Sequence, residues 1–314
     1  MRIAPPLVAA LAAALCLAAP AAATVRPPAR CNGAKALCDR RFDRVVLPGA
    51  HNAMSAQSLG WQIPNQSVAM PAQLRYGIRA LLFDTHYGVP APDGTVTTDD
   101  DGHVPGVTPG MYFCHEVCEI GSTPLVAGLH QLSRWLTAHP DNVLAIDNED
   151  YVTPADFVKA MDASGLGARV YRGSASHWPT LAWMIEHRQQ VVVLAEHHAG
   201  SKAWYHLAYE GILQETPYSW PKPEQITRKR NWKASCVPNR GGRKGTLFLM
   251  NHWSPPIPPA QPDRAASARV NKRSVLVGRA RECRRVRGRL PTIVAVDQVK
   301  AGGLLAAVRE LNGL

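Results

Sequence analysis

Eight short apolar or β-branched runs, most of them separated by segments with helical spacing, constrain the fold of this chain more than any other feature. They lie at 44–47, 80–83, 111–114, 143–147, 169–171, 191–195, 246–250 and 292–296. Residues 123–138 place Leu125, Leu129, Leu132 and Leu136 on one face, at helical spacing. Thr153 followed by Pro154 reads as an N-cap with proline at the first helical position. Residues 181–186 and 303–311 read as helices as well. Strands alternating with helices predict an α/β fold, a (β/α)8 TIM barrel. The Gly/Pro/Asp-rich stretch 88–110 and the proline-rich stretch 253–263 read as loops within it. The expectation is one domain over residues 24–314.

The first residues carry Arg2, an Ala/Leu/Val run, Pro20 and then Ala21-Ala22-Ala23. This is the pattern of a secretory signal peptide over residues 1–23, so the expected location is extracellular or periplasmic. Six cysteines remain after cleavage, at 31, 38, 114, 118, 236 and 283. An even count in an exported chain reads as disulfides. Sequence proximity suggests 31–38 and 114–118, leaving 236–283, one of the many pairings six cysteines allow. Zinc held by Cys114, His115 and Cys118 is the lesser alternative, because no second ligand pair has zinc spacing. The net charge of +11 sits mostly late in the chain. With no aromatic-interleaved motif beside it, the charge reads as a solvated face, and no nucleic-acid partner is expected. A monomer is expected.

The chemistry lies at the carboxyl ends of these runs. His51 and Asn52 come after the first, Asp84 ends the second and His115 comes after the third. Asp147, Asn148, Glu149 and Asp150 close the fourth, Glu196 the sixth, Asn251 and His252 the seventh, and Asp297 the eighth. Ordinary turns there would favour Gly, Ser and Pro, whereas barrel enzymes build their sites at the carboxyl ends of strands. Two histidines in such positions suit general acid–base cleavage of a phosphodiester: one removes a proton from the attacking hydroxyl, the other gives one to the leaving oxygen. The run Asp99-Asp100-Asp101-Gly102 lacks EF-hand spacing and reads as a solvated loop. Trp61 and Trp253 suit core or loop packing better than a membrane interface.

Leu47-Pro48-Gly49-Ala50-His51-Asn52, Gly77 to Asp84, and Cys114-His115 together resemble the X domain of phosphatidylinositol-specific phospholipase C, especially its secreted single-domain branch in bacteria and plants. Phe83-Asp84-Thr85, Glu149-Asp150-Tyr151-Val152, Met250-Asn251-His252 and Val294-Ala295-Val296-Asp297 are counterparts of further signatures of that branch. The resemblance implies cleavage of phosphatidylinositol or a related lipid at a membrane surface. It makes His51 the general base for the inositol 2-hydroxyl and His115 the general acid for the diacylglycerol oxygen, with Asp297 orienting His51. The slot of Asp84 holds an arginine in metal-free bacterial relatives and a carboxylate in calcium-dependent ones. The resemblance therefore implies Ca²⁺, with Mg²⁺ the alternative, held by Asn52, Asp84 and Glu149; oxygen ligands of this kind suit a hard cation. His86 is the alternative source of positive charge. Two positions depart from the pattern: Leu82 stands where animal enzymes carry another acidic ligand, with Asp147 or Asp150 as substitutes, and Glu116 stands where glycine commonly succeeds the second histidine.

Overall fold

In the computed structural model, eleven strands form one curled sheet. The structure describes Met1 and residues 27–314, except 103, 105, 219 and 255–263. The expected leader, Met1 apart, lies outside the described residues. The strands are β1 (Leu47–Ala50), β2 (Ala80–Pro90), β3 (Val96–Thr98), β4 (Gly110–His115), β5 (Val117–Pro124), β6 (Leu144–Asp150), β7 (Val191–Ala195), β8 (His206–Leu207), β9 (Leu213–Glu215), β10 (Leu247–Asn251) and β11 (Ile293–Val296).

Eight of them run parallel in the order β8-β7-β6-β2-β1-β11-β10-β9. This is a (β/α)8 barrel whose first and last strands, β1 and β11, pair directly. A seam is left between β8 and β9, crossed by the Leu213 N–H bond to Ala208 O. The remaining strands β3, β4 and β5 form an antiparallel arm grown from β2. Residues 80–85 of β2 pair with β6 inside the barrel, and residues 85–90 pair with β4 and β3 above it. Helices Leu125–Ala138, Pro154–Ala163 and Leu181–Glu186 match the sequence expectation closely, and Thr153 Oγ1 caps the second by accepting from Asp156 N–H. Among the described residues, no helix is long and apolar enough to cross a membrane.

Three strand expectations are corrected. The run 111–114 is apolar like a barrel strand but lies in the arm, antiparallel to β2. The run 169–171 makes only a single bridge, Val170 to Val191. The fifth and sixth barrel strands are instead β8 and β9, too short to show a period. The first strand also starts later than 44–47. In it Pro48 has no N–H to give and only accepts, from Arg79 N–H at 2.9 Å. Gly49 lets β11 approach: a Cβ there would lie 2.9 Å from Ile293 Cγ2.

The barrel strands alternate between two apolar clusters. One row, including Leu47, Ala80, Leu82, Ala145, Val192, Leu194, Leu213, Leu247, Leu249, Ile293 and Ala295, packs in one cluster with the N-terminal Cys31, Leu37 and Phe42. The other row, including Val46, Ala50, Leu81, Phe83, Ile146, Val193, Phe248, Met250 and Val294, packs against Leu125, Leu129, Leu132 and other helix residues. Side chains two apart on a strand share a face, and this parity decides the site. All three suggested disulfides, Cys31–Cys38, Cys114–Cys118 and Cys236–Cys283, are formed, which removes the zinc alternative.

Candidate active site at the carboxyl end of the barrel

Continuing the inner row of each strand past its last apolar residue gives the site. Leu47 and Gly49 lead to His51, Leu82 to Asp84, and Ala145 to Asp147 and Glu149. Leu194 leads to Glu196, Leu213 to Glu215, Leu249 to Asn251 and Ala295 to Asp297. His51, Asn52, Asp84, Asp147, Glu149, Glu196 and Asn251 line one cavity of about 530 Å³, its open mouth included. Three barrel-end residues fall on the other parity, and of these Asp150 accepts from His197 N–H and His198 N–H at 2.8 Å instead of entering the cavity. Asn148 turns away to Thr85 and Tyr205. His252 is buried behind the sheet, bonded to Val270 O at 3.1 Å and to Arg279 at 3.0 Å.

His51 is held from two sides. Its Nδ1 lies 2.8 Å from Asp297 Oδ1, and Asn65 Nδ2 donates to the same oxygen at 3.2 Å. Trp253 stacks on the ring, with centroids 3.7 Å apart and planes within 7°. Gln66 Nε2 donates to His51 O and to Val296 O, tying the ends of β1 and β11 together. With Nδ1–H given to Asp297, Nε2 of His51 is left as the basic nitrogen. Trp61 and Trp253 are both buried.

His115 comes from the arm rather than from the barrel. Asn52, in the left-handed region at φ 43°, turns out of the β1 row, and its Nδ2 lies 2.9 Å from His115 Nε2. With Nδ2 spent on His115, the carbonyl oxygen of Asn52 is the atom left for a cation. The other ring nitrogen of His115 is buried with no hydrogen-bond partner. Burial first, and the neighbouring His51 second, lower the pKa of His115. Glu116 sits at φ 60°, the region glycine enters without cost, which is a backbone reason for glycine at this position. Its side chain is exposed.

The cavity floor is acidic. Burial pushes Asp84 and Asp147 well above the ordinary carboxylate range; Glu149, Glu196 and Glu116 raise Asp84 further, and Glu196 adds most among the charges around Asp147. Glu196 is raised as well, by burial above all. Both carboxylate oxygens of Asp147 are buried with no hydrogen-bond partner. Such orphaned acceptors beside other carboxylates fit a hard divalent cation. Asn52, Asp84 and Asp147 line the cavity together, with Glu149 two residues further along the strand than Asp147. Glu149 also accepts from Tyr151 Oη at 2.8 Å, and it brings a carboxylate oxygen within 4.8 Å of ligand atoms on Glu196 and His197.

Two further expectations change. His86 does not reach the cavity: it is buried, its Nδ1 lies 2.7 Å from Asp100 Oδ2, and its ring stacks on Tyr151 at 4.3 Å. Asp100 is therefore a partner of His86 and of Tyr87 N–H, and Asp99 is buried, so this stretch is not a solvated loop throughout. The cation that does line the cavity is Arg240, which no sequence motif marks. It ion-pairs with Glu196 and with Glu215, the latter at 2.7 Å, and lies over Tyr209 and Tyr218. Gly241, at φ 70°, lets this loop lie on β9: a Cβ there would fall 1.9 Å from Leu213 O. The Gly-Gly pair after Arg240 is the one local signal.

The fold and the site together are an α/β barrel with one unpaired seam, an acidic mouth and two histidines brought near each other at Asn52. A family model described as PI-PLC X 1 matches residues 37–312, and the chain belongs to that family. It is 27% identical over 301 residues to a PI-PLC X domain-containing protein 1 of Arthroderma benhamiae, covering 90% of each chain. It is 28% identical to an uncharacterized secreted protein of the same organism, over 71% of this chain and 47% of the other. The phosphatidylinositol-specific phospholipase C of Listeria monocytogenes has a similar fold, with a TM-score of 0.54 at 18% identity, covering 88% of this chain and 94% of that one. A mutant of the phosphatidylinositol-specific phospholipase C from Staphylococcus aureus gives 0.51 at 11% identity, covering 83% of this chain and 88% of that one. At these identities the structural likeness concerns the fold.

Proposed function

We propose that this chain is a secreted phosphodiesterase that cleaves phosphatidylinositol or a related phosphoinositol lipid by the paired action of His51 and His115. The observation that supports this reading is that one acidic cavity is lined by His51 and by its neighbour Asn52, whose Nδ2 meets His115 of the arm at 2.9 Å. His51 Nε2 removes the proton of the inositol 2-hydroxyl, whose oxygen attacks phosphorus. The bond from phosphorus to the diacylglycerol oxygen breaks, and His115, in its protonated form and turned from Asn52 Nδ2, gives that oxygen the proton on Nε2 and is left neutral. The products are diacylglycerol and a cyclic inositol phosphate. Asp297 stabilises His51 once it carries the proton. Trp253 covers one face of His51 and limits the directions it can turn.

The residues that would hold a divalent cation are Asn52, Asp84 and Asp147, with Glu149 at the rim; Ca²⁺ suits their all-oxygen set, and Mg²⁺ is the alternative. When bound, it supplies positive charge to the phosphoryl oxygens. Arg240 and the exposed ring of Tyr218 stand at the same mouth, a fork and an aromatic face suited to a polyol. Leu59, Ile63, Val117, Tyr151 and Tyr218 are exposed on loops that extend from carboxyl ends of strands or on the tip of the arm. Apolar side chains around a mouth favour a lipid surface as the partner. Three disulfides and the secreted relative support an extracellular location.

The test is a panel of phosphodiester lipids, with and without Ca²⁺, read by phosphorus NMR. A cyclic inositol phosphate from phosphatidylinositol is the expected product. Turnover confined to choline or glycerol phosphodiesters would move the substrate. Lipid binding at full strength with no product would make the chain a head-group-binding barrel.

A further inference from the structure

The ladder of the arm breaks at the catalytic histidine itself. β4 and β5 pair in register from Tyr112 with Pro124 to Cys114 with Ser122, but the next pair is His115 with Val117. Residues 118–121 are thereby left out of the ladder. No regular succession of rungs fixes the backbone of His115, and its side chain has one polar contact, Asn52, while Nδ1 has none. A general acid must nevertheless be held within a fraction of an ångström of its working position.

What closes this tip is covalent. Cys114 and Cys118 flank His115, both buried at 0% and 2% exposure, and are joined with a sequence separation of 4. Cys118 N–H donates to Thr98 Oγ1 at 2.7 Å, and Thr98 in turn donates Oγ1–H to Glu119 at 2.8 Å. On the other side, Phe113 packs edge-on against Phe83 at 4.7 Å. The disulfide thus joins a strand anchored on the barrel to the irregular first part of β5, anchored on β3. Such a bond does little for global stability, because closing so short a loop removes less denatured-chain entropy than the Cys236–Cys283 bond, with a separation of 47.

We infer that the Cys114–Cys118 disulfide is the positioning element of the acid arm: it takes the place of the missing rungs and sets where His115 meets the leaving oxygen. This rests on His115 being the general acid. The disulfide touches no substrate and acts only through the histidine between its two halves.

The test is the Cys114→Ala/Cys118→Ala variant beside Cys31→Ala/Cys38→Ala, which opens a short loop elsewhere. On phosphatidylinositol vesicles the first variant should lose about 10- to 100-fold in kcat with little change in KM, the cost of a displaced catalytic group. On an inositol phosphate ester of nitrophenol, whose leaving group needs no proton, it should lose far less. The second variant should leave both rates near wild type. Nitrogen NMR should show the His115 ring resonances shifted or broadened and those of His51 in place. Should the alanine pair fail to fold, Cys114→Val/Cys118→Ala refills the buried volume and is read in the same way. An unchanged kcat, an equal loss on both substrates, or an unperturbed His115 ring overturns the inference. If the wild type cleaves no inositol phosphodiester, the catalytic reading fails, and the ring spectrum still decides whether the disulfide positions His115.

Discussion

His51 lines the cavity and His115 meets its neighbour Asn52 there, but the two histidines are held in opposite ways. His51 ends a strand paired on both sides, with a carboxylate at 2.8 Å and a tryptophan stacked on its ring. His115 sits where a ladder breaks, with one polar neighbour and a disulfide around it. On the proposed assignment, the base is thus part of the barrel, while the acid is carried on the antiparallel arm grown from β2. The difference teaches that a barrel supplies half of this chemistry from its own strand ends and must import the other half.

The largest effects should come from the histidines: His51→Ala and His115→Ala should each lower kcat on phosphatidylinositol by about 10²- to 10⁴-fold in folded protein. Steady-state turnover of the two variants checks this, and normal rates in either would break the pairing. Asp297→Asn comes next, with a loss of about 100-fold or more, because an amide can hold the wrong tautomer of His51; an equal loss in a variant already lacking His51 would show that Asp297 acts elsewhere. Asp147→Asn should weaken Ca²⁺ binding about 10- to 100-fold by calorimetry, the scale seen when metal-site residues are replaced. Unchanged binding would remove Asp147 from the site.

His252 sharpens the comparison as a strand-end histidine on the opposite parity. Burial, and then Arg279, lower its pKa to about 3. The unfolded chain takes up this proton first as pH falls, so stability is full above about pH 6.5 and is lost between there and pH 3, by up to about 1.4 kcal/mol per pH unit. Thermal unfolding across this window should show that slope, flattened in His252→Gln. The smallest effect belongs to Glu116→Gly, which relieves a left-handed residue at the arm's turn but loosens the unfolded chain. Denaturant unfolding should show a change under about 1 kcal/mol.

Much of the barrel side was legible in the sequence, because strand ends carrying His51, Asp84, Asn251 and Asp297 lie beyond apolar runs long enough to show a period. Parity would have carried the reading further. It selects Asp147 along with Glu149 and places His252 behind the sheet. The arm was not legible, since a short apolar run such as 111–114 does not say whether a strand runs parallel in a barrel or antiparallel beside it. β8 and β9, His206–Leu207 and Leu213–Glu215, are too short for any pattern. Arg240 lies in a loop without periodicity, and its two carboxylate partners are distant in sequence. His86 looked available because it shares parity with Asp84, yet β2 has left the barrel by that point and pairs with the arm.

The division of labour between the two histidines is tested most directly by turnover of two substrates, phosphatidylinositol and an inositol phosphate ester of nitrophenol, in His51→Ala and His115→Ala. His115→Ala should lose the lipid and keep most of its activity on the nitrophenyl ester, whose leaving oxygen needs no acid, whereas His51→Ala should lose both. Equal losses on both substrates in His115→Ala would contradict the assignment of the arm as the carrier of the acid.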